Sequence, residues 1–178
     1  KPLIVKGARQ VGKTFSVLEF GKKHFENILY LNFESNNELQ KVFERDLSPV
    51  RILRELSVMM VETINESTTL LFFDEIQSCS RALTSLKYFA EEAPDYFIIA
   101  AGSLLGVAVN RDASSYPVGK VDTMTMYPLD FEEFLYAERG GDAAGIIRES
   151  FEHLTPCSLH ATFNDLYRTF LYTGGMPK

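Results

Sequence analysis

Leu3-Ile4-Val5-Lys6-Gly7-Ala8-Arg9-Gln10-Val11-Gly12-Lys13-Thr14 decides how the rest of this chain is read. A short apolar run leads into Gly-x-x-x-x-Gly-Lys-Thr, and Phe15, Leu18 and Phe20 then recur at roughly helical spacing. Strand, glycine-framed turn and helix in that order make a cradle for phosphate. The glycines let the backbone turn tightly and bring its N–H groups to an anion with no side chain between. The following helix aims the positive end of its dipole at the same spot. The pattern assigns residues 7–15 to a bound nucleotide, with Lys13 reaching the β- and γ-phosphates and Thr14 offering its hydroxyl to Mg²⁺.

Three further apolar runs follow. Ile28-Leu29-Tyr30-Leu31-Asn32-Phe33-Glu34 ends in polar residues, Leu70-Leu71-Phe72-Phe73 ends in Asp74-Glu75, and Phe97-Ile98-Ile99-Ala100-Ala101-Gly102 ends in Ser103. Residues 120–127 alternate, as an edge strand would. Helical patterns separate these runs. Residues 39–43 follow a cap at 35–38, and Pro49 opens a longer helix whose stripe Ile52, Leu56, Met59, Met60 and Ile64 reads as core. Residues 80–92 form another, stopped by Pro94. Asp130-Phe131-Glu132-Glu133 is a capping box opening a helix over 131–139. Beyond Gly140-Gly141, helical segments are expected at about 143–154 and 158–172.

Near-continuous apolar strands are buried on both faces, which calls for a parallel sheet between layers of helix. The expected fold is therefore α/β, with five mostly parallel strands and a short C-terminal helical segment. The domain boundary falls at 139/140, with 140–178 the start of a further domain. Ligands bind such sheets beyond the carboxyl ends of the strands. The glycine loop, Asn32 and Glu34, Asp74 and Glu75, and Ser103 all lie at those ends.

A carboxylate closing a buried strand is costly unless it meets a cation. Asp74 and Thr14 are thus the candidate Mg²⁺ ligands. Glu75, pointing to the other side of the strand, is the candidate base for an attacking water. Ser103 either contacts the γ-phosphate or caps the turn at 104–107. Asn32 and Glu34 either serve the site or satisfy backbone at the strand end. Arg9 packs or pairs locally. Arg111 and Lys120 flank a polar loop at 110–119, where each either stays solvated or reaches a phosphate on a neighbouring subunit. His24, His153 and His160 share no ligand spacing, so no zinc site is expected.

The chain has 178 residues, 46% hydrophobic and 24% charged, with a net charge of −6. That acidity, with no basic run longer than Lys22-Lys23, argues against a broad grip on nucleic acid but leaves a local contact open. Cys79 and Cys157 are far apart in sequence and suit a reducing cytoplasm. The apolar stretch 97–109 is too short, and too broken by glycine, to span a bilayer. The chain begins at Lys1, two residues before the first strand and without a leader, and reads as a fragment.

Gly-Ala-Arg-Gln-Val-Gly-Lys-Thr (7–14), Leu-Leu-Phe-Phe-Asp-Glu-Ile-Gln (70–77), Ala-Ala-Gly-Ser (100–103), Tyr-Pro-Leu-Asp-Phe-Glu-Glu-Phe-Leu (127–135) and Gly-Gly-Met-Pro (174–177) together resemble a group of prokaryotic AAA+ ATPases of archaeal type. The resemblance implies a P-loop NTPase with the Ser103 strand between the P-loop and Asp74 strands. It also implies ATP as ligand, Lys13, Thr14, Asp74 and Glu75 as the Walker A and B residues, and Ser103 as sensor. Members of that group carry an adenine-holding segment before the first strand and a domain after Gly-Gly-Met-Pro. They usually show Gly-Arg where this chain has Gly119-Lys120. A homo-oligomer or a protein partner is consistent with this. Mg-dependent ATP hydrolysis is the expected activity; a nucleotide switch with little turnover and a P-loop kinase are the alternatives. A GTPase is disfavoured by the lack of Asn-Lys-x-Asp.

Overall fold

The structure, a computed structural model, describes residues 1–103, 117 and 119–176. It divides into two compact units, Lys1–Met126 and Tyr127–Lys178.

In the first unit β1 (Leu3–Lys6), β2 (Asn27–Asn32), β3 (Thr69–Asp74), β4 (Phe97–Gly102) and β5 (Asp122–Thr125) form one sheet. Its order is β2-β3-β4-β1-β5 and every pairing is parallel. The strand ending before Ser103 therefore lies between the glycine-loop strand and the Asp74 strand, as the resemblance implies. All six residues of β3 are buried, which is why that run carries no polar alternation.

Helices α1 (Lys13–His24), α2 (Asn37–Glu44), α3 (Pro49–Met60) and α4 (Ser80–Glu92) cover the sheet. One face packs Val5, Leu70, Phe72, Ile99 and Ala101 against Val17 and Leu18 of α1. The other packs Ile4, Leu29, Leu31, Leu71 and Phe73 against α2, α3 and α4. There Phe73 meets Phe33, Phe43 and Phe89 in edge-on contacts with centroids 5.5–6.3 Å apart. Such contacts add to the area buried. In α3 the stripe holds at Ile52 and Leu56, joined by Leu53, but Met59 is exposed. Met60 and Ile64 of the same stripe pack against the core, while Val58, Met59 and the cap residue Val61 face outward. β5 lies at the sheet edge as expected, its four residues exposed, with Val121 before it packed against one core cluster and Met126 after it against the other.

In the second unit α5 (Phe131–Arg139), α6 (Ala143–Glu152) and α7 (His160–Thr173) pack through Phe134, Leu135, Ala143, Phe163 and Leu166. The capping box forms as read, with Asp130 accepting from the Glu133 N–H and Glu133 accepting from the Asp130 N–H. Packing groups 131–139 with the residues that follow. The polar loop 110–116 and 118, with Arg111, and the turn at 104–107 lie outside the described residues.

Candidate functional site

The loop between β1 and α1 turns on two unusual residues. Gln10 has φ 66° and Gly12 φ 91°, both left-handed. Gly12 takes that conformation at no steric cost and ends the loop as the cap of α1. Gly7 has a different reason to be glycine. A Cβ there would fall 2.2 Å from the Met126 carbonyl oxygen, so only a bare backbone can pass between β1 and the end of β5. These two glycines hold the first turn of α1, with its free N–H groups, open at the sheet rim.

Lys13 is buried, 6% exposed, and its ammonium donates to the Gly7 carbonyl at 3.0 Å and the Ala8 carbonyl at 2.6 Å. The amine is thus tucked into the concavity of the loop itself. Burial pulls its pKa below the ordinary lysine value, and the charges of Glu75 and Asp74 oppose that shift. Both carboxylates are therefore close enough to be felt at Lys13.

Thr14 donates to Asp74 Oδ2 at 3.0 Å. This one bond joins the first turn of α1 to the end of β3 across 60 residues of chain. Asp74 is 3% exposed and fully engaged: Oδ2 also accepts from the Tyr30 hydroxyl at 2.8 Å, and Oδ1 accepts from the Glu75 N–H at 3.0 Å. Glu75 follows with left-handed backbone, φ 50° and ψ 41°, uncommon for a residue with a side chain. Its carboxylate accepts from the Gln77 side-chain amide. Ser103 is half-buried and sits one step past the Lys6–Gly102 pair, level with Gly7.

The rim therefore gathers Lys13, Thr14, Asp74, Glu75 and Ser103 at the ends of β1, β3 and β4. Phe15 points largely outward, 71% exposed. Arg9 leans to Glu34 in an exposed pair at 3.8 Å. Asn32 proves to be a turn former, its Oδ1 accepting from the N–H groups of Glu34 and Ser35. Lys120 pairs with Glu91 at 3.0 Å. Two residues of the network escaped the sequence reading, Tyr30 and Gln77. Tyr30 left one signal, a hydroxyl two residues before Asn32 on an otherwise apolar strand. Gln77 left none beyond its place in the Asp-Glu-Ile-Gln run.

A glycine turn with a buried lysine, bonded through a threonine to a carboxylate at the end of the apolar strand next but one in the sheet, is the arrangement of a nucleotide-binding ATPase fold. The family model described as AAA domain matches residues 1–135. The chain belongs to the AAA domain family. This AAA domain is 26% identical over 133 residues to an uncharacterized protein of Methanocaldococcus jannaschii, covering 74% of this chain and 27% of that one. The chain thus spans about a quarter of that relative's length. Among solved structures, the Walker-type ATPase of Pyrococcus abyssi superposes with a TM-score of 0.57 at 17% identity, over 99% of this chain and 59% of that one. The ORC2 protein of Aeropyrum pernix, in ADPNP and ADP complexes, gives a TM-score of 0.48 at 15% identity, over 79% and 45%. The first of these shares the fold. Among the described residues no helix is long and apolar enough to cross a membrane.

The donor set fits Mg²⁺. Thr14 and Asp74 offer hard oxygens, and among the described residues no cluster of three or more His, Cys, Asp or Glu competes with them. Mg²⁺ binds through one or two such protein oxygens and fills the rest of its shell with water and substrate phosphate.

Proposed function

We propose that this AAA domain binds ATP with Mg²⁺ at the rim of its sheet and hydrolyses it to ADP and phosphate. The observation that carries the reading is the Thr14–Asp74 bond beside the buried Lys13 ammonium. It puts a cation, a hydroxyl and a carboxylate around one glycine turn.

In this reading the loop 7–14 binds the phosphates through backbone N–H groups, and the Lys13 ammonium leaves the Gly7 and Ala8 carbonyls to hold the β- and γ-phosphate oxygens. Thr14 and Asp74 hold the metal ion, which when bound supplies positive charge against the phosphate oxygens. Glu75 draws the proton from the attacking water, and Ser103 contacts the γ-phosphate. Phe15, at the exposed start of α1, lies against the nucleoside. The segment from 140 onward begins a further domain, and a second copy or a protein partner supplies any arginine the reaction needs.

Replacing Glu75 with Gln tests the chemistry. Binding of a non-hydrolysable ATP analogue is expected to persist while turnover falls about 10²- to 10⁴-fold, the usual weight of a positioned base. Turnover at the wild-type rate removes Glu75 from its role. A second reading, a nucleotide switch with little turnover, is favoured by one observation: the Gln77 amide already holds the Glu75 carboxylate. Tight binding of ATP with no phosphate release by the wild-type chain would select it.

A further inference from the structure

Asp74 carries more hydrogen bonds than a loop-facing carboxylate needs to reach an ion. Its Oδ2 takes two of them, from Thr14 at 3.0 Å and from Tyr30 at 2.8 Å. The Tyr30 hydroxyl in turn accepts from the Asn32 side-chain amide at 3.2 Å. Asn32 is itself pinned, since its other side-chain atom accepts from two backbone N–H groups of the turn after β2. The sheet register explains the meeting. β2 and β3 run parallel with Tyr30 opposite Phe72 and Asn32 opposite Asp74, so positions 30, 32, 72 and 74 share the α1 face. The Tyr30 ring lies against Phe72 with centroids 5.4 Å apart, which sets the direction of the phenol.

We infer that Tyr30 is a positioning residue for Asp74: its phenol fixes the carboxylate toward Thr14 and thereby sets how tightly the site takes Mg²⁺. The inference rests on the ATP reading above for the identity of the ligand, but its geometry stands alone. A threonine hydroxyl has one proton and two lone pairs. Thr14 can therefore keep donating to Asp74 while a lone pair faces a cation. That orientation holds only while Asp74 does not rotate. The Glu75 N–H restrains one oxygen and Tyr30 the other. Partners of this outer kind weigh heavily, and their loss costs about 10- to 100-fold in metal affinity. Asn32 completes the relay by occupying a lone pair of the phenol, which leaves the phenolic proton for Asp74.

The test uses the 178-residue chain with Tyr30→Phe, which keeps the ring against Phe72 and removes only the hydroxyl. Retention of a fluorescent ATP analogue is titrated with Mg²⁺. The midpoint is expected to rise about tenfold or more in Tyr30→Phe, with analogue affinity at saturating Mg²⁺ unchanged. In the Asp74→Asn background Tyr30→Phe is expected to add little, because the two act through one carboxylate. An unchanged midpoint, or a full additive penalty in the double variant, overturns the inference. A separate arm needs no nucleotide. The chain has no tryptophan, so Tb³⁺ bound at Asp74 is sensitised by tyrosine, and Tyr30 is bonded to that carboxylate. Mg²⁺-displaceable emission is expected from the wild type and is expected to fall severalfold in Tyr30→Phe. Emission equal in the two proteins overturns the placement. A wild-type chain that retains no analogue at any Mg²⁺ level sinks the ATP reading, and the midpoint at which Mg²⁺ displaces Tb³⁺ then decides the role of Tyr30 by itself.

Discussion

Asp74 and Glu75 are sequence neighbours, yet one closes β3 and the other stands on left-handed backbone just past it. On the α1 face Asp74 is buried and accepts from Thr14, Tyr30 and a backbone N–H. Glu75 is half-buried, sits on left-handed backbone and is held by the Gln77 amide. A carboxylate with every oxygen engaged is a fixed post, suited to hold an ion. One held by a single side chain can exchange that partner for a water. The difference shows how a break from strand geometry gives two adjacent carboxylates different surroundings.

The sharpest way to break this comparison is to neutralise each carboxylate in turn. Glu75→Gln is expected to lose turnover by about 10²- to 10⁴-fold and keep its Mg²⁺ requirement. Asp74→Asn is expected to raise the Mg²⁺ midpoint by about 10- to 100-fold. Equal profiles for the two variants, in rate assays and in Mg²⁺ titrations of analogue binding, would erase the division of labour.

The packed layer around Phe73 comes next. Phe73→Ala removes the ring that meets Phe33, Phe43 and Phe89 and is expected to cost about 3–5 kcal/mol in urea unfolding. A loss below about 1 kcal/mol would mean that this aromatic cluster does not anchor the face.

Gln77→Leu sharpens the comparison at smaller scale. If Gln77 orients Glu75 for catalysis, turnover falls about tenfold, the weight of one charge-assisted hydrogen bond. A rise instead would mean that Gln77 restrains the base, as the switch reading has it. The buried Oε1 of Gln77 has no hydrogen-bond partner among the described residues, so the amide is held from one side only.

The smallest effect concerns Cys79, which precedes α4 and belongs to the same core cluster as Phe73. Burial pushes its thiol pKa up, so less thiolate forms near neutrality than at an open cysteine. Titration with a thiol reagent is expected to label Cys79 only after unfolding. Rapid labelling of the native chain would show that this layer opens.

Much of this was legible in the residues. The apolar runs marked the strands, the glycine spacing marked the loop, and the Asp130–Glu133 capping box marked the start of α5. The order of the strands was not, because crossovers leave no trace in periodicity; it came from the family resemblance. Tyr30 stayed hidden because its role depends on the register that sets Asn32 opposite Asp74, a long-range fact. Met59 lies at the border of its stripe, exposed beside the packed Met60, and apolar spacing does not place that border. The grouping of α5 with the second unit depends on Phe134 and Leu135 meeting Phe163 and Leu166, which no local pattern announces. The left-handed backbone at Glu75 runs against the preference of its residue type, and such departures gather at functional sites.

The most direct measurement is a crystal structure of the 178-residue chain with a non-hydrolysable ATP analogue and Mg²⁺. The account predicts the triphosphate wrapped by residues 7–14, the Lys13 ammonium moved from the Gly7 and Ala8 carbonyls to phosphate oxygen, and the ion between Thr14 Oγ1 and the Asp74 carboxylate. A nucleotide bound elsewhere, or an ion that leaves the Thr14–Asp74 pair untouched, would contradict it.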